Sequence, residues 1–159
     1  MTVFHKYVRT ILEQGAVEAQ RDGSAAIEAH HLLLAIASVE GTDAHRVLVS
    51  AGLDRAAIRA ALDREFAHSL ASAGVSAAAF GLPPASPGPK PAADMGASAR
   101  LAFERGFKYG APRSLRPAHV LLGILQAQFG TVPRALALAG VDRDGLAAAV
   151  RQELADETA

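Results

Sequence analysis

A forty-residue segment of this chain is written twice. Residues 27–66 align without a gap onto residues 115–154 at a constant spacing of 88 positions, and thirteen of the forty pairs are identical, among them His31 with His119, Leu33 with Leu121, Leu34 with Leu122, Ile36 with Ile124, Arg46 with Arg134, Gly52 with Gly140, Asp54 with Asp142 and Glu65 with Glu153. Many of the other pairs exchange one aliphatic residue for another. A unit this small cannot bury its own apolar face, so two copies are expected to bury each other's. Function is then left to the surfaces that the pairing does not consume.

The period of the apolar residues says what each copy is made of. Phe4, Tyr7, Val8, Ile11, Leu12, Ala16 and Ala19 fall on one face of a helix, which should close near Asp22-Gly23, where glycine can adopt a left-handed backbone. A second helix is expected over 29–39. It is apolar nearly all round through His31-Leu32-Leu33-Leu34-Ala35-Ile36, so it belongs in the centre. A third is expected over 43–51 behind a Thr42 cap, followed by Gly52-Leu53-Asp54: the glycine closes one helix, the leucine packs back on it, and the aspartate caps the next. Copy two repeats this as Gly140-Val141-Asp142. Fourth helices should run from Arg55 through Ile58, Leu62 and Phe66, and from Arg143 through Leu146, Val150 and Leu154. In copy two the first helix is expected from Ala97 to Gly110, one extra residue in 111–114 shifts the register, and the central helix starts at Pro117, where a missing N–H costs nothing.

The stretch 81–91 carries five prolines and predicts an extended, solvated connector. Such a segment can also be an SH3-type ligand; between duplicated halves a covalent spacer is the preferred reading. The resulting expectation is an all-α fold without strands. It is a single compact domain of two pseudo-twofold-related four-helix repeats, repeat one at 1–70, linker at 71–96 and repeat two at 97–156.

Composition narrows the function classes. The absence of cysteine excludes disulfides, thiolate zinc sites and a cysteine nucleophile. It fits a reducing compartment, and cytoplasm is the expected location. No apolar run approaches the ~20 residues that cross a bilayer, and no leader pattern opens the chain. Sixteen basic and sixteen acidic residues are interleaved, without the sustained positive field that concentrates nucleic acid. Neither nucleic acid nor membrane is an expected partner.

Glycine-closed first helices, then Ile-x-x-x-His-Leu-Leu-Leu-Ala-Ile at 27–36 and Leu-x-x-x-His-Val-Leu-Leu-Gly-Ile at 115–124, then Gly52-Leu53 and Gly140-Val141, together with Phe4, Ala16, Ala19, Gly23, Glu104 and Gly110, are similar to the N-terminal domain of the bacterial Clp unfoldases, nearest the ClpC and ClpA type. The likeness spans nearly the whole chain apart from the linker and the last residues. It implies a domain that binds substrates, adaptors or degradation tags and feeds them to an unfoldase and its protease. No Gly-x-x-x-x-Gly-Lys-Ser/Thr loop is present, so the chain is not the motor. The expectation is a free-standing relative, as the plant ClpT proteins are, with a fragment of a longer chain as the alternative. Where the family writes Thr-Glu-His, this chain has Ala29-His30-His31 and Pro117-Ala118-His119. In ClpC that glutamate receives the guanidinium of a phosphoarginine tag. Without it the guanidinium lacks its charge-assisted partner, and weak or absent phosphoarginine binding is expected.

The histidines admit two readings. His31 and His119, with His30 and His45 as recruits, could form an acid–base or metal site, but such sites need oriented partners or three to four converging ligands. The duplication favours a packed imidazole bonded to the loop before its own helix, with Gly52, Gly140, Asp54 and Asp142 as the other structural residues. His30 is expected to be exposed, or to join Glu28 in a small surface site at the helix N-terminus, where the dipole favours anions. Arg116 reverses the sign of Glu28 at the second site. It is either a solvated loop residue or a sign that the two sites take different ligands. Glu28, His30, Arg116 and Ala118 are therefore the candidate ligand residues, while Glu13, Glu18, Glu104 and Arg105 read as solvated charge.

No catalytic constellation, metal set or cofactor cradle stands out, so a binding module is expected rather than an enzyme. It would recruit or compete for clients and adaptors of a Clp system. Alternatives are a protein that sequesters peptide-like antibiotics and an accessory subunit docking on the protease core.

Overall fold

The structure, a computed structural model, describes residues 1–76, 81, 83 and 85–157. It is predominantly helical, with eight α-helices among the described residues: α1 (Val3–Arg21), α2 (Ala29–Ser38), α3 (Asp43–Ser50), α4 (Arg55–Ser72), α5 (Ala97–Phe107), α6 (Pro117–Leu125), α7 (Thr131–Leu138) and α8 (Arg143–Asp156). A single 3₁₀ turn at Pro112–Ser114 takes up the extra residue between α5 and α6.

The helix ends follow from local chemistry. Thr2, Thr42, Asp54 and Asp142 each accept from a backbone N–H three residues on, offsetting donors that the first turn leaves without partners. Gly52 and Gly140 adopt φ of 74° and 73°. The next residues, Leu53 and Val141, donate back to the carbonyls of Leu48 and Leu136.

The expectation of no strands is corrected. Two-residue strands β1 (Ala26–Ile27) and β2 (Asp94–Met95) pair in parallel, Ala26 with Asp94 and Ile27 with Met95. The Gly96 amide extends the pairing to the Ile27 carbonyl at 2.8 Å. The connector is not simply solvated either. The Gly88 amide donates to the Gln20 carbonyl at 2.7 Å, and the Gln20 side chain returns a bond to the Gly88 carbonyl at 3.1 Å. Residues 77–80, 82 and 84, which include part of the proline-rich stretch, lie outside the described residues.

The two central helices carry the core. Leu32, Leu33, Leu34, Ile36, Leu121, Leu122, Ile124 and Leu125 are all at most 2% exposed. Around them α1 packs on α2 and α5 on α6, while α4 packs across on α7 and α3 on α8. The α5–α6 approach is at backbone distance: a Cβ on Gly123 would lie 1.9 Å from the Ala102 carbonyl oxygen, and one on Gly106 2.3 Å from that of His119. Only glycine permits it.

Candidate functional site

The central helices begin in the same way. In α2 the Glu28 amide donates to Nδ1 of His31 at 2.9 Å, and in α6 the Arg116 amide donates to Nδ1 of His119 at 2.9 Å. Both rings are buried. An Nδ1 that accepts an amide proton leaves the imidazole proton on Nε2, and Nε2 of His31 faces Oδ2 of Asp22 at 3.1 Å.

Asp22, His30 and His31 are the group among the described residues whose donor atoms come within 4.8 Å of one another. The chemistry fits a cation poorly. His31 has one nitrogen accepting an amide and the other donating to Asp22, so no lone pair is free, and the Arg59 guanidinium already bonds the same carboxylate at 3.2 Å. Burial works to raise the Asp22 carboxyl, but the His31 hydrogen bond and Arg59 outweigh it and hold it below its usual range. The His30 ring lies against that of His31 with centroids 4.0 Å apart. Desolvation first, and the neighbouring His31 second, lower its pKa to about 4, so His30 is neutral at pH 7.

Glu18, read from sequence as solvated, is buried. It accepts from Arg55 at 2.5 and 3.1 Å, from Arg59 at 3.2 Å and from Arg21 at 3.4 Å. Glu13 remains exposed, paired with Arg9 one turn away, and Glu104 is exposed.

Of the four candidate ligand residues, the structure brings two together and separates the other two. Glu28 and His30 line a cleft of about 670 Å³ with Ser98, Leu101 and Arg105 of α5 and residues of the α6–α7 loop and α7, including Phe129, Thr131 and Arg134. The Glu28 carboxylate is turned to the first turn of α5, where it accepts from the Ser98 hydroxyl. Gly96 leaves room for it, since a Cβ there would overlap the carboxylate.

Arg116 and Ala118 lie elsewhere. The Arg116 guanidinium closes the end of α8, donating to the Leu154 carbonyl at 3.0 Å and to Glu157, with Asp43 at 3.6 Å. It is neither a solvated loop residue nor open to a ligand. Ala118 is fully buried, and its amide donates to Oδ1 of Asp43 at 2.9 Å. Beside it, Oδ2 of Asp43 and the Tyr7 hydroxyl are buried with no hydrogen-bond partner among the described residues. Burial, then the Asp43 charge, push the Tyr7 hydroxyl up. Burial and the Arg116 charge likewise lower the pKa of His119.

Sequence reasoning missed Phe129, Thr131 and Asp43, and assigned Arg105 to the solvated surface. Phe129 is 87% exposed at the lip of the cleft. Its signal was present, because the aligned position in copy one is Gly41 and a large apolar residue in a loop has no packing reason to be there. Asp43 aligned with Thr131 was a comparable signal.

A second depression of about 930 Å³ opens between the Gly52-Leu53 and Gly140-Val141 turns. Arg46 on its wall is bonded to Glu153, and Asp142 caps α8, which leaves fewer polar groups free for a ligand than the first cleft offers. Comparison of the chain with protein-family models and with curated proteins returned no match.

Proposed function

We propose that the protein is a peptide-binding module of the Clp N-terminal-domain type. On this reading it consists of two pseudo-twofold-related four-helix repeats, and it recruits or competes for clients or adaptors of a Clp unfoldase–protease system. The observation that carries the reading is the cleft beside α2. It pairs an exposed aromatic, Phe129, and the partly exposed Leu101 with a floor of Ala102, Ile124 and Val132 and a few polar groups at its edge. An apolar concavity with sparse polar groups suits an extended or helical peptide segment better than a reacting small molecule.

Support for the repeat comes from reciprocal contacts. Arg46 bonds Glu153 at 2.6 Å and Arg134 bonds Glu65 at 3.0 Å, and both members of each pair are equivalent under the 88-residue spacing. A self-complementary interface has this pattern, residue i meeting j and j meeting i.

The test is retention of native-cell proteins on the immobilised chain, compared with a Phe129→Glu variant. A Clp unfoldase, protease subunit, adaptor or degradation client held by the parent and released by the variant is the expected result. Retention of none of these, or equal retention by the variant, overturns the reading.

A further inference from the structure

The second copy of the repeat holds, within the chain itself, a counterpart of what the first copy leaves open. Asp43 opens α3, and its Oδ1 accepts from two helix starts at once: the Ala44 amide of α3 at 2.7 Å and the Ala118 amide of α6 at 2.9 Å. One carboxylate thus joins two sets of first-turn donors, where the helix dipoles favour negative charge. The aligned positions in the other copy are Thr131 for Asp43, Val132 for Ala44 and His30 for Ala118. There the starts of α7 and α2 converge in the same way, but the carboxylate is missing. Gly130 precedes α7 without a side chain to cap it, and Glu28, at the start of α2, makes no side-chain cap bond to its own helix. Among the described residues the amides of His30, Thr131 and Val132 have no hydrogen-bond partner. All three residues line the open cleft.

We infer that this cleft takes a carboxylate of its peptide ligand, seated between the first turns of α2 and α7 where Asp43 sits between α6 and α3. The inference rests on the reading of the cleft as a peptide site and names the chemistry that the site selects. The charged groups around it are Arg105 of α5, Arg134 of α7 with its partner Glu65, and Glu28. Glu28 is drawn toward Ser98 and the start of α5, so the two arginines supply the positive charge that Arg116 supplies to Asp43. His30, neutral at pH 7, adds none. An aspartate or glutamate side chain and a chain terminus present the same two oxygens, and either source satisfies the site.

The experiment is amide-resolved NMR of the full chain titrated with four probes: acetyl-Leu-Asp-amide, acetyl-Leu-Asn-amide, acetyl-Leu-Ala with a free carboxyl, and acetyl-Leu-Ala-amide. Saturable shifts at His30 and Val132 are expected from the two acids, at affinities tenfold or more above their amide counterparts. The stronger of the two acids identifies side chain or terminus. In Thr131→Asp the chain supplies its own carboxylate, as at Asp43, so the melting temperature should rise and the acid probes should no longer shift His30. Equal binding of Asp and Asn probes overturns the inference while leaving the cleft as a peptide site. Acid probes that shift neither His30 nor Val132, or a Thr131→Asp variant that keeps full acid binding, also overturn it. Because Phe129→Glu tests the cleft separately, failure here and failure of the peptide-binding reading are distinguishable.

Discussion

At the scale of single residues, the buried imidazoles decide most. Each of His31 and His119 accepts the amide that precedes its helix, so alanine at either position strips a partner from a buried donor, at about 1–3 kcal/mol. Chemical denaturation of His31→Ala and His119→Ala should show that loss; an unchanged midpoint would remove their structural role. Acid acts through the same region. His30 titrates at about 4 in the folded chain against 6.5 ordinarily, and His119 is displaced the same way. The unfolded chain therefore binds protons first. Stability is full above about pH 6.5 and falls between there and about pH 4, with a slope that approaches roughly 1.4 kcal/mol per pH step for each proton taken up on unfolding. Asp22 and Glu65, both held below their ordinary values, extend the loss to lower pH. Denaturation midpoints between pH 7 and 4 check this, and His30→Gln should flatten the slope. Phosphoarginine is expected to bind weakly or not at all, and His30→Glu should strengthen it by one to two decades if a carboxylate is what the guanidinium lacks, since a hydrogen bond to a charged group is worth roughly 1.5–3 kcal/mol. Calorimetry on both proteins decides. The matching change at Ala118 is not a useful variant, because that side chain is fully buried beside Asp43. Half of the candidate site was legible: Glu28 and His30 adjoin in sequence and share the cleft. Arg116 was not, because what occupies it is the end of α8, some forty residues away.

At the scale of elements, the strongest side-chain tie between α1 and α4 is electrostatic. Glu18 is buried and receives Arg55 and Arg59 from α4, while Asp22 receives Arg59 as well. Glu18→Gln leaves two half-buried guanidinium groups with a weaker acceptor, and a loss of about 1–3 kcal/mol is expected. Thermal melts at low and high salt check it; a loss that vanishes at 1 M salt would show that the pair is screened like a surface bridge. The helices themselves were readable, because period, caps and closing glycines all agree: Thr42, Asp54, Gly52 and their copy-two counterparts sit where the pattern puts them. The strand pair was not. Two residues on each side carry no periodicity, and the contacts that hold 86–95 against α1 and β1 are mainly backbone bonds, which any sequence able to adopt the conformation can make. Glu18 looked like surface charge because its partners lie 37 and 41 positions away.

At the scale of the molecule, the packing is crossed. α4 lies on α7 and α3 on α8, and the Arg46–Glu153 and Arg134–Glu65 pairs lie across the same seams. Those bridges are partly exposed and contribute little individually, ~0–1 kcal/mol each; the attraction across the seam comes from the buried aliphatic faces of α2 and α6. The connector adds a backbone pair at Gly88, the β1–β2 pairing and a close approach of the Ser86 carbonyl to Gly23. A cut within 83–91 therefore removes no part of the core. The nicked chain should elute as one species on a sizing column under native conditions, with a melting temperature that now depends on concentration, because the tether no longer keeps the two segments at high effective concentration. Separation into two fragments without denaturant would mean that each half buries its own core, and the crossed seams would then have to be far weaker than their burial implies.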